Sequence, residues 1–408
     1  MSSTGTSSPH SSISATAESL IDAARHALAL HGASALSVRR LAAAGGVTPA
    51  TLSYHLGTKA RIVRTLIEAE CRLDQARHQA WLSRLAHLRW FDPAALAASV
   101  ELYLDDAATP ETAGGARLTS LIWADLALRA HVDADVAAML RPWLQARRAF
   151  WRQLLEGRID EADAWAEVLL AYTTDEGIHT LANGNRVDYR LLRRMAIERL
   201  AQRLAPSTRD GLTQAAVFDA QVHRLDPAIG LPGPEVASTL LAPGRRREIA
   251  SAACAVILED GTEALTHRAV GERAGLPASS VAYHFRSGAD LLRAGQEMVY
   301  LVAQDRAPPP GEDSAERRYA VVVRGTLSIG LAAARDPSLA AQAIDLRRLR
   351  GENLFPRLRR DGLERLEPLD AQVVALVAIG AGALAGIDDA LRARRQPLVD
   401  WLTAGIKG

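Results

Sequence analysis

The 408-residue chain sets 48 Lys and Arg against 47 Asp and Glu, a formal net charge of +1, and is 48% hydrophobic but only 5% aromatic. Two cysteines, Cys71 and Cys254, are too few for a disulfide framework and fit a reducing cytosol; the longest apolar stretch, Val373 to Ile387, falls short of the roughly 20 residues a membrane span needs. A soft prior of about 150 residues per domain predicts two to four domains, and overall neutrality leaves room for basic patches balanced by acidic regions elsewhere.

In chain order, residues 1–14 are rich in Ser and Thr without an apolar segment, which predicts a disordered tail and neither a signal peptide nor an anchor. Ile21, Ala24 and Leu28 form a helical stripe ending at Gly32. Ser37 caps a second helix by accepting a free backbone NH, and Gly45-Gly46 turn the chain. Thr48-Pro49 open a third helix, since proline is tolerated at the first helical position, and Thr58 caps a fourth through Ile62 and Leu66. From Pro206 to Gly244, five prolines and several glycines mark a linker, with a short helix expected over Leu212 to Leu225. No run of alternating β-branched residues suggests a sheet, and Val373 to Ile387 reads as a buried packing helix.

A pattern then returns. Leu36-Ser37-Val38-Arg39-Arg40-Leu41, running on to Tyr54-His55-Leu56, recurs in register as Leu265-Thr266-His267-Arg268-Ala269-Val270, running on to Tyr283-His284-Phe285. Around it Gly32 matches Gly261, Ala35 matches Ala264, Gly46 matches Gly275, Arg64 matches Arg293 and Glu68 matches Glu297. Helix, glycine turn, short helix is helix-turn-helix grammar, in which the second helix enters the major groove of DNA. A weaker echo, Leu128 to Asp133 against Leu331 to Asp336, marks a helix ending before a turn in each half.

Gly32, Leu36, Ser37, Leu41-Ala42, Gly46-Val47, Thr48 to Leu56 and Thr58-Lys59, with Gly261, Leu265, Thr266, Val270-Gly271, Gly275-Leu276, Pro277 to Phe285 and Ser287, resemble the N-terminal DNA-binding domain of the TetR family of bacterial transcriptional regulators. The resemblance implies an all-α fold of two tandem units. Residues 1–14 are then the tail, 15–70 the first helix-turn-helix domain, 71–205 the first helical ligand-binding and dimerisation domain, 206–243 the linker, 244–299 the second helix-turn-helix domain and 300–408 the second helical domain. It further implies that Tyr54, His55 and Lys59 contact the DNA backbone while the stretch from Thr48 to Ser53 faces bases. The expected DNA-binding set is Ser37, Arg39, Thr48, Pro49, Ala50, Thr51, Ser53, Tyr54, His55, Thr58 and Lys59 in the first copy. In the second it is Thr266, Arg268, Pro277, Ala278, Ser279, Ser280, Ala282, Tyr283, His284 and Ser287.

The copies differ in charge. Where the first has Lys59 and Arg61 at the start of its fourth helix, the second has Gly288 and Asp290, and Ser287 with Asp290 spells a capping box that occupies the helix end a phosphate would use. The first copy is therefore expected to bind tightly and the second to read a weaker, different half-site. Trp123, Met139, Trp143, Phe150, Tyr172 and His179 suggest an aromatic-lined effector pocket in the first half, and the second half, with few aromatics, is expected to have a smaller pocket or none. Gly380, Gly382, Ala383 and Gly386 offer a small-residue face to the bulky Trp165, Leu169 and Tyr172.

No enzymatic motif survives scrutiny. Gly380-Ala381-Gly382 lacks the third glycine and the preceding strand of a dinucleotide loop, and Glu176 with His179 is one pair where a carboxylate metal site needs two. No cofactor or metal is expected. The expected function is a cytoplasmic, nucleoid-associated, ligand-responsive repressor acting on double-stranded operator DNA. Its effector is a small molecule of unknown identity, it has no membrane partner, and it self-associates as an intrachain pseudo-dimer or as a dimer of chains. The alternative is that the second copy, or both, no longer binds DNA and the helical domains form a protein-interaction module.

Overall fold

The computed structural model describes residues 15–35, 37–86, 92–204, 218, 222, 223, 225, 240 and 243–406. The expected tail 1–14, Leu36 and most of the 206–243 linker, with most of its Leu212–Leu225 helix, lie outside the described residues. The described residues hold eighteen α-helices, a few short 3-10 turns and no strand.

The first half runs α1 (Ala15–His31), α2 (Val38–Ala44), α3 (Pro49–Leu56), α4 (Lys59–Arg84), α5 (Pro93–Ala108), α6 (Arg117–Arg129), α7 (Ala134–Leu155), α8 (Ala162–Asn183) and α9 (Val187–Ala201). The second runs α10 (Arg245–Asp260), α11 (His267–Ala274), α12 (Ala278–His284), α13 (Gly288–Ala303), α14 (Ala315–Arg335), α15 (Ala340–Arg348), α16 (Phe355–Arg360), α17 (Pro368–Leu384) and α18 (Asp389–Thr403). The expected caps form. Ser37 Oγ accepts from the Arg40 amide at 3.3 Å, Thr48 Oγ1 from Thr51 at 3.1 Å and Thr58 Oγ1 from Arg61 at 3.4 Å. Gly46 and Gly275, at φ +65° and +67°, make the tight turns between the paired helices, a left-handed conformation that disfavours any side chain. The halves also echo beyond the heads: Asp133 caps α7, and Asp336 accepts from Ser338 just after α14 ends.

The two halves pack on each other along α8 and α17, with α9 and α18 beside them. The contact is close enough that a Cβ on Gly380 would lie 1.8 Å from the carbonyl oxygen of Ala171, so only glycine fits at that crossing. The small-residue face thus meets the backbone of α8 at Ala171, while Gly386 makes room for the His131 ring and Gly382 for Tyr319. Trp165 packs edge-on against Trp401 at 5.2 Å. α17 is buried on nearly every side, as expected of Val373 to Ile387.

Charged groups cross this seam too. Arg347 of α15 grips Glu176 of α8 bidentately, Nε to Oε1 at 2.9 Å and Nη2 to Oε2 at 2.8 Å, with both side chains fully buried. Arg350 grips the adjacent Asp175 at 2.7 and 3.0 Å and donates to Thr326 at 3.0 Å. Arg199 of α9 pairs with Glu367 at 2.6 Å and Asp370 at 3.1 Å. Buried carboxylates without such partners would each cost several kcal/mol, of the order of 3–5. These pairs therefore dictate which surfaces of the two halves meet.

Candidate nucleic-acid interface

In the first head Leu41, Leu52, Leu56, Ile62 and Leu66 point inward and are at most 5% exposed. Period-3.6 burial then leaves the opposite face of α3 outward, with Ala50, Ser53, Tyr54 and His55 exposed and Thr51 half-buried. Tyr54 is 86% exposed and its counterpart Tyr283 is 84% exposed, each ring set edge-on to the following histidine at 5.2 Å. A large aromatic held outward at matching positions gains nothing from the protein interior and is left available at the surface of each head. Thr48, Pro49, Thr58, Lys59 and Arg39 are exposed around it, with Ser37 half-buried at the α2 cap.

The second head presents Thr266, Arg268, Pro277, Ala278, Ser279, Tyr283 and Ser287 as exposed and Ser280, Ala282 and His284 as half-buried. Its electrostatics differ. Arg39, Lys59, Arg61 and Arg64 of the first head pair with no carboxylate among the described residues, whereas Arg268 is paired with Glu272 at 2.9 Å and Arg273 with Glu259. Arg246 lies over the Phe285 ring, 4.5 Å from its centroid, and donates to the His284 carbonyl at 2.8 Å. The capping box is formed: the Ser287 amide donates to Asp290 at 3.0 Å and the Asp290 amide to Ser287 Oγ at 3.1 Å. Hydrogen bonds from Ser287 hold the Asp290 carboxyl below its usual range. The helix end that is cationic in the first head is anionic in the second. The matched glutamates also part ways: Glu68 is exposed, while burial pushes Glu297 up to about 7, with neither carboxylate oxygen hydrogen-bonded.

Two outward-facing helix-turn-helix heads on an all-helical body define a DNA-binding transcriptional regulator. Residues 20–66 and 249–294 each match the family model described as bacterial regulatory proteins, tetR family, so the chain carries the DNA-binding domain of that family twice in tandem. No curated protein matches the chain. Among the described residues no helix is long and apolar enough to cross a membrane.

The six residues of the expected effector pocket lie packed together in the first half and at the seam. Trp143 is fully buried with Nε1 donating to Asp74 at 2.8 Å, Phe150 stacks on His78 at 4.1 Å, and Met139 packs against the main core. Tyr172 and His179 lie buried in the charged seam, donating to Glu176 at 3.3 Å and standing 3.5 Å from Asp175 respectively. Trp123 lines a cavity of about 30 Å³, against the several hundred Å³ a small molecule needs. Large rings fill space when they face a common centre, here the Asp74 carboxylate with Arg77 and Arg147, and the arginine beside it holds that carboxyl well below its usual range against burial.

A cavity of ligand size lies in the second half, where the sequence suggested less. A half-open cavity of about 370 Å³ is lined by Val299 and Tyr300 of α13, Tyr319 and Val322 of α14, Arg350, and Ile379 of α17. Its signal in the sequence is the small residues Ala375 and Ala378, which leave the space unfilled. Nor did spacing reveal the buried pairs of Asp175 and Glu176. Glu176, weighed as half of a metal pair with His179, instead accepts from Arg347 and, at 2.8 Å, from the Tyr189 hydroxyl.

Proposed function

We propose that one chain acts as a complete two-headed, ligand-responsive repressor, its heads taking the two halves of a single operator. The observation that carries this is the pair of exposed tyrosines, Tyr54 and Tyr283, on matching helices of heads whose bodies are already joined by α8 and α17. Helix-turn-helix regulators need two reading helices about one helical turn apart, and fusion supplies both. Phosphate contacts come mainly from the first head, through Tyr54, His55, Lys59 and the free amides after Thr58, and α3 reads bases with Thr48 to Ser53. The second head contributes Tyr283, His284 and α12 with less electrostatic pull.

The effector site of this reading is the second-half cavity. Tyr300 at the far end of α13 lines it, and α13 begins just after its cap Ser287 beside the recognition helix, so a mostly apolar ligand there acts on the second head along one rigid helix. A ligand shifts DNA binding only by favouring one arrangement of the heads over another. The site of action is cytoplasmic, at the nucleoid.

The test is binding of the full chain to its own upstream DNA over a salt series, with the mass of the complex measured. Log affinity should fall with log salt at a slope of about −0.9 per neutralised phosphate, with one chain per operator. Replacing Tyr54 and His55 together by Ala should abolish binding, and the same change at Tyr283 and His284 should weaken it. The formed Ser287–Asp290 box favours a second reading, in which the second head is a structural partner; unchanged affinity in the Tyr283/His284 variant would establish it. No salt-sensitive association at all would end both.

A further inference from the structure

One guanidinium ties both heads to the body. Arg335, the last residue of α14, is nearly buried, and each of its nitrogens has a different element as partner. Nε donates to the carbonyl of Ala29 at 2.8 Å, Nη1 to Glu263 at 2.8 Å and Nη2 to Asp125. Ala29 is in the last turn of α1, where carbonyls lack helical partners and the helix end is partially negative, so a cation is well placed there. That turn belongs to the first head. Glu263 lies in the 3-10 turn between α10 and α11 of the second head, and Asp125 on α6 of the first half's body.

The surroundings are shaped for this clasp. Gly32, at φ +66°, sits against it: a Cβ there would stand 2.9 Å from Asp125 Oδ2, 2.9 Å from Glu263 Oε1 and 3.0 Å from Arg335 Nη1. Beyond it, a cleft of about 920 Å³ separates α1 and α2 from the start of α13, and the heads come together at the turns Gly32–Ala35 and Thr262–Ala264 beside the guanidinium. The device is also one-sided. The position matching Arg335 in the first half, through the echo of Leu128–Asp133 in Leu331–Asp336, is Val132, which is 44% exposed.

We propose that Arg335 is a positioning residue that sets the distance and rotation between α3 and α12, and thereby decides which half-site spacing the chain accepts. The proposal rests on the two-headed reading above. Each base pair inserted between half-sites moves the second by about 3.4 Å and turns it by about 35°, so heads held by three charge-assisted bonds discriminate spacing sharply and released heads do not.

The experiment uses the full chain and a DNA fragment selected by the wild-type protein, rebuilt with zero to six base pairs inserted between its half-sites. Wild type should lose about tenfold or more in affinity with one or two inserted pairs. Arg335→Ala should bind the best spacing several-fold more weakly and vary by less than about threefold across the neighbouring spacings. Glu263→Gln, which removes only the arm to the second head, should lie between, and it serves should the first variant not fold. A merely structural arginine would lower thermal stability and leave the spacing profile unchanged; that profile, in either folded variant, would overturn the clasp with two-headed binding intact. Wild type that binds an isolated half-site as tightly as the pair would overturn both.

Discussion

Lys59 and Asp290 show how a few atoms reverse the charge at one helix end between two copies of one motif. At the first turn of α4 the ammonium of Lys59 adds to the positive helix end, whereas at α13 Asp290 is bound back to Ser287 and neutralises it. Lys59→Ala is expected to weaken operator binding across all sequences and reduce the magnitude of the salt slope by about one, as loss of a single phosphate contact should. Asp290→Ala should raise affinity at low salt. A titration series at several ionic strengths checks both.

Buried histidines make a separate prediction. Burial first, and nearby arginines second, bring His131 down to about 4, and burial brings His78 down to about 3, while His179 is lowered too. Each is neutral in the fold and binds a proton on unfolding once pH drops below the free value near 6.5. The stability they confer is therefore complete above that value and is lost as pH falls from about 6.5 towards 4, by up to about 1.4 kcal/mol per pH unit for each group. Thermal melts between pH 7 and pH 5 should show a falling midpoint. His131→Gln, which removes the titration, should flatten part of the slope. That Tyr54, His55 and Lys59 stand exposed together was legible because the motif carrying them is local in sequence. The partners of Glu176 and Arg335 were not, since they lie 171 and 306 residues away and only the fold brings them together.

Among the helices, the heads follow closely from caps and turns, because Ser37, Thr48, Thr58, Gly46 and Gly275 each satisfy a backbone need within three or four residues. The body is less readable. Trp143, Phe150 and Tyr172 announce an apolar interior, but whether rings surround a void or fill it depends on how α4, α7 and α8 converge, which periodicity does not encode. A cavity is where side chains stop short, so Ala375 and Ala378 were better signals than any tryptophan. The α8–α17 crossing gives the clearest element-level prediction. Gly380→Leu forces a side chain into the Ala171 carbonyl and should destabilise the chain by at least about 1–3 kcal/mol. Denaturant unfolding measures this; a midpoint equal to wild type would mean the two helices do not meet there.

At the scale of the whole molecule, the facing surfaces of α8 and α17 are buried against each other within one chain. The buried Arg347–Glu176 and Arg350–Asp175 pairs need both halves, and a lone half would leave two carboxylates stranded in an apolar wall. A chain cut within residues 206–243 should thus yield halves that co-purify, and neither half expressed alone should give a sharp thermal transition. For an assembly of separate subunits, the fraction competent to occupy a binding site falls steeply when the cell holds few copies. Here the second head is always present at the high local concentration that covalent attachment provides. On the two-headed reading proposed above, occupancy therefore scales in simple proportion to copy number, and a handful of molecules per cell retains the full grip of a pair.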